Sequence, residues 1–152
     1  LAVTVEIHPQ VLAALGKHLT NTIHTNLESF KKDLAAYLDE EKTPWYFGKD
    51  FPLTRPPAVR QANLMHLHVY TPVDKKGNPR TQDEWSFENI RQQRVRRQIV
   101  RTSDTWVIYC RHIMDRSRVQ VVGFADPNAH EACEKATYTL GFADLAEEFH
   151  NS

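Results

Sequence analysis

Five apolar residues, Ile23, Leu27, Phe30, Leu34 and Leu38, recur at steps of four, three, four and four. No other feature limits the possible folds of this chain as much. At helical pitch they form one continuous stripe, and Lys31, Lys32, Asp33, Asp39 and Glu40 take the opposite face. Upstream, Val11, Leu12, Leu15 and Leu19 repeat the spacing behind Pro9, with Thr20-Asn21-Thr22 as the expected break and new N-cap. The two stripes predict a helical hairpin, which needs a sheet to cover it.

Strand signals supply that sheet. Residues 2–7 are rich in β-branched side chains. Residues 64–70 alternate, with Met65, Leu67 and Val69 on one face and His66, His68 and Tyr70 on the other. Residues 105–110 and 119–125 read as an antiparallel hairpin with a wide loop. Between these signals, 43–57 carries Pro44, Gly48, Pro52, Pro56 and Pro57 and reads as a connection, with Asp50 capping a turn. Thr81-Gln82-Asp83-Glu84 is a capping-box pattern that predicts a short helix over 82–94, with Trp85 and Ile90 inward. Asn128 with Glu131 is the expected cap of a closing helix lined by Ala132, Ala136, Leu140, Ala143, Ala146 and Phe149, with Gly141 as a possible point of division. The order predicts one α+β domain over 1–152, an antiparallel sheet of about four strands packed by an N-terminal helical hairpin and a C-terminal helix.

Net charge is zero, yet the charges segregate. Residues 75–118 hold eleven basic and five acidic side chains, whereas 119–152 hold one basic and six acidic ones. A local basic surface on a neutral chain points to a polyanion, with Lys75, Lys76, Arg91, Arg94, Arg96, Arg97 and Arg111 as candidate RNA-binding residues; scattered solvated charge is the plainer reading. No apolar run is long enough for a membrane span. The two cysteines fit no zinc spacing or disulfide framework, so a reducing cytoplasm is the expected location.

The chemistry gathers around three histidines. His66 and His68 share a strand face, where imidazoles serve as acid and base, as metal ligands, or as sheet-surface residues without a chemical role. His130 falls in the first turn of the last helix, where free N–H groups attract phosphate; a surface position without a ligand is the alternative. Arg97 and Arg101 precede a strand, and guanidinium groups there suit a phosphate in transition. Asp104 either holds one of these arginines or caps a turn. Tyr109 is expected on the same sheet face as the site. Walker, GxGxxG, HExxH, GxSxG and CxxC patterns are all absent. Metal-independent RNA cleavage needs none of them, only a base, an acid and cations.

An ordered set of short motifs carries a family likeness: Phe47-Gly48-Lys49-Asp50, His66-Leu67-His68, the run from Arg97 to Asp104, Val107-Ile108-Tyr109-Cys110, Pro127-Asn128-Ala129-His130 and Ala146-Glu147-Glu148-Phe149. Through them the chain resembles the YafO family of type II toxins over roughly 45–150. The resemblance implies a RelE-like fold, an endoribonuclease that cuts mRNA on the ribosome, and silencing by a cognate antitoxin, with no cofactor. His66, His68, Arg101, Asp104, Tyr109 and His130 are the catalytic candidates. A metal-dependent hydrolase built on His66 and His68 and a non-catalytic RNA- or ribosome-binding domain are the alternatives. The nuclease reading requires the imidazoles, the guanidinium groups and the start of the last helix to line one pocket.

Overall fold

The computed structural model describes residues 2–40 and 42–152. In chain order they form β1 (Thr4–Ile7), α1 (Leu12–His18), a π-helical turn (Leu19–Ile23), α2 (Leu27–Glu40), β2 (Phe47–Pro52), α3 (Pro57–Gln61), β3 (Leu64–Val69), α4 (Gln82–Ser86), β4 (Phe87–Asn89), β5 (Arg94–Val95), a 3₁₀ turn (Gln98–Val100), β6 (Trp106–Arg111), β7 (Arg118–Ala125), α5 (Ala129–Cys133) and α6 (Ala136–His150). The main sheet runs β1-β7-β6-β3-β2, and β4 and β5 pair separately. The α+β class holds. The sheet has five strands rather than four, and it is mixed because β1 lies parallel to β7.

The fifth strand is β2, within the stretch that reads as a connection. Its proline is tolerated because β2 is an edge strand, and Pro52 is its last residue. Asp50 is no turn cap there; its Oδ2 accepts the Tyr37 and Tyr109 hydroxyls, both at 2.7 Å.

Alternation along the strands builds a core on each face. Leu67, Val69, Val107, Tyr109, Val119 and Val121 pack with Leu15, Leu19, Phe30 and Leu34 of the helical hairpin. Leu64, Trp106, Ile108, Cys110 and Val122 pack with Ala143, Ala146 and Phe149 of α6. The apolar stripe of α2 therefore meets the sheet as its spacing requires. Its cap lies elsewhere than expected: the first helix runs on through the π turn to His24 at φ 66°, and Asn26 Oδ1 accepts the Ser29 amide at 2.8 Å.

Two other expectations change. The capping box at Thr81 and Glu84 forms, and Trp85 is fully buried. The helix stops at Ser86, however, and a small hairpin follows that leaves Ile90 48% exposed. The closing helix divides at Lys135, not at Gly141, giving α5 and α6. Asn128 sits at φ 59° without a side-chain cap bond, so the Asn128 and Glu131 cap does not form.

Candidate functional site

β3 presents His66 and His68 on the α6 side of the sheet, where Trp106 of β6 lies between them and the last helices. Ring centroids stand 4.5 Å apart for His66 and Trp106, 5.0 Å for His68 and Trp106, and 5.4 Å for the two imidazoles. His130 of α5 meets the edge of Trp106 at 6.1 Å. The three histidines therefore gather around one indole. His66, Trp106 and His130 line a cavity of about 580 Å³ together with Arg55, Cys133 and Glu134. Sequence reasoning missed Trp106, Arg55 and Glu134, since only the pairing of β3 with β6 and the packing of the 53–56 loop and α5 around them bring these side chains together. Glu134 Oε1 lies 3.2 Å from His130 Nε2, at the helical i,i+4 spacing that is visible in the sequence.

His68 is the buried member, at 3% exposure. Its Nδ1 accepts the Ser103 amide at 2.9 Å, which leaves the ring proton on Nε2. Burial, the neighbouring His66, and the charges of Lys75 and Lys49 hold its pKa down to about 3. Burial likewise lowers His66 to about 4, with Lys49, His130 and Lys75 adding to the effect, and its Nδ1 is buried without a hydrogen-bond partner. Both rings are neutral at pH 7. On His66 the Phe51 backbone partly offsets the lowering and the buried Nδ1 carries no hydrogen bond, whereas Nδ1 of His68 is taken by Ser103.

The lowered pKa values set a pH dependence. At pH 7 both imidazoles are neutral whether the chain is folded or not. Below pH 6.5 the unfolded chain takes up protons that the fold resists, so stability falls until the pH nears the folded values of about 4 and 3. Taken at those values, the loss for the pair is at most about 5 kcal/mol by about pH 4.5. Asp50, whose pKa burial raises, works in the opposite sense. Urea midpoints measured at both pH values are expected to fall on acidification, and less so in His68→Gln.

The other expected site residues lie elsewhere. Asp104 supports the site without entering it. Its Oδ1 accepts the His130 amide and its carbonyl accepts the Ala129 amide, both at 3.0 Å. Those bonds occupy the start of α5, a helix of five residues, so no phosphate site exists at that helix terminus. Tyr109 points to the hairpin side, because period two groups it with Val107 and not with Trp106. Tyr70 also leaves the imidazole face, to pack on Trp45 and Trp85. Arg101 is 6% exposed, with Nη1 3.5 Å from the Trp45 carbonyl, and is not in the imidazole cavity. Of the residues expected to share one pocket, His66 and His130 line the same cavity, His68 is buried behind it outside the lining, and Arg101 and Tyr109 lie elsewhere.

Among the expected RNA-binding residues, Lys75 is close enough to the imidazoles for its charge to act on them. Lys76, Arg91 and Arg97 are exposed, Arg94 pairs with Glu88 at 3.2 Å, and Arg96 donates to the Glu84 carbonyl at 3.0 Å. Arg111 lies in a different cavity, on the far side of Pro52 and Leu53. Among the described residues, no three His, Cys, Asp or Glu side chains are arranged to hold a metal ion. No helix among them is long and apolar enough to cross a membrane.

No curated protein and no solved structure shows a significant match to the chain. A family model described as "Toxin YafO, type II toxin-antitoxin system" matches residues 35–151.

Proposed function

Because this chain belongs to the YafO family of type II toxin–antitoxin toxins, we propose that it is an endoribonuclease that cuts mRNA on the translating ribosome, in the cytoplasm. Membership implies an antitoxin partner. The observation that carries the nuclease reading is the gathering of three imidazoles around Trp106, two of which, His66 and His130, line one cavity with it.

In this mechanism His66, neutral at pH 7, takes the proton of a ribose 2′-hydroxyl. The 2′-oxygen attacks phosphorus, the bond from phosphorus to the 5′-oxygen breaks, and a 2′,3′-cyclic phosphate forms. His130, beside the Glu134 carboxylate, is the proton donor to the leaving 5′-oxygen. Arg55 in the cavity wall, with Lys49 and Lys75 nearby, offsets the charge that builds on the phosphoryl oxygens. The ribosome would hold the mRNA in line, which supplies orientation that so open a site lacks.

Induction without the antitoxin should arrest growth and leave translated messages with cyclic phosphate ends, detected by primer extension and end-group analysis. Normal growth with folded toxin present would count against the proposal.

A further inference from the structure

A second cavity, of about 780 Å³, lies across Pro52 and Leu53 from the imidazoles, and those two residues line both cavities. Three guanidinium-bearing residues, Arg60, Arg111 and Arg116, belong to its wall. Among the described residues none of the three takes part in an ion pair. Arg111 is held in place by the Leu38 carbonyl, which accepts from its Nη2 at 2.9 Å. Among the described residues Asp50 is the only acid in the lining. Its Oδ2 is engaged by two tyrosine hydroxyls and its Oδ1 is buried, so the carboxylate offers little to an incoming ligand. Arginine forks left unpaired around a cavity suit phosphate oxygens. Met65 and Ile113 in the same wall supply an apolar surface of the kind a base can cover.

We propose that this cavity binds a nucleotide of the RNA strand whose scissile phosphate lies at the imidazoles, with its phosphate on Arg60, Arg111 and Arg116 and its base against Met65 and Ile113. The inference rests on the nuclease reading for the identity of the strand. A chain passing over Pro52 and Leu53 meets both cavities in succession. Arg60 is thereby a binding residue that charge clustering alone does not single out, since it lies outside the basic segment 75–118.

The test measures binding of a short, uncleavable 2′-O-methyl RNA to the full chain by fluorescence anisotropy across a salt series. For single strands, log affinity falls by about 0.7 per phosphate contact for each unit of log salt. Arg60→Ala combined with Arg116→Ala should make that slope shallower by about 1.4 and weaken binding about tenfold at low salt. Both side chains are exposed, so the thermal midpoint should stay in place. Each single variant should give about half the change in slope. An unaltered slope and affinity would overturn the assignment. So would intact RNA binding with lost neutralisation by the antitoxin, which would make the cavity a protein contact. Binding to uncleavable RNA does not depend on the chemistry. A shallower slope without any cleavage of natural RNA would therefore retire the nuclease reading and keep the cavity, and cleavage with an unaltered slope would do the reverse.

Discussion

His66→Gln should lower mRNA cleavage by about 10²- to 10⁴-fold, the usual contribution of a positioned base, and leave the protein folded. The carboxamide has similar size and polarity but takes no proton in the accessible pH range. It also removes a ring that the fold holds neutral down to about pH 4, so the variant should resist acid better than its parent. That pairing of lost activity with retained or improved acid stability separates a chemical role from a structural one. The wild-type profile adds a second check. With the His66 pKa near 4, cleavage should persist well below the ordinary imidazole value of 6.5. Single-turnover rates on programmed ribosomes would measure both. Unchanged cleavage in His66→Gln would remove this ring from the mechanism.

The largest stability effect is expected at Gly48→Ala. A Cβ there would stand 2.1 Å from the Arg101 carbonyl oxygen and 2.7 Å from Cη2 of the fully buried Trp85. The carbonyl is backbone and the indole is packed, so neither yields without opening the contact between β2 and the segment that ends at Arg101. The expected loss is about 3 kcal/mol or more, a fall of about 10 °C in thermal midpoint for a domain of this size. Gly141→Ala is the natural control. Its Cβ would meet nothing within 4 Å inside α6, and replacing a mid-helix glycine should add about 0.5–1 kcal/mol. Thermal melts of the two variants should move in opposite directions.

The layers of this fold were legible because long-period patterns survive any tertiary context. The stripe from Leu27 to Leu38 had one possible use, and the alternation in 64–69 chose the faces, whereas Ile23 belongs to the preceding turn and Tyr109 to the side of β6 opposite the one expected. Reading failed where contacts distant in sequence decide. Gly48 and Pro52 look like loop residues until the Arg101 segment is seen to cover β2, and Asp50 looks like a turn residue until two tyrosines reach it. Asp104 joins a strand lead-in to the first amides of α5, so the cap sought at Asn128 was supplied from 24 residues upstream. The imidazole cluster was visible in part, since two of its members share a strand. The indole that gathers all three rings is placed only by the pairing of β3 with β6, where His68 stands opposite Trp106.

The covering of β2 bears on what can approach the molecule from that margin. The Lys49 amide donates to the Arg101 carbonyl at 2.9 Å, and the Gly48 carbonyl accepts from Gln98 Nε2 at 2.9 Å. With these two groups engaged and a proline at its end, β2 is a poor template for another chain, so neither self-assembly nor a visiting peptide should lengthen the sheet there. An RNA strand arriving at the same rim would meet side chains, and discrimination between substrates would rest with them alone.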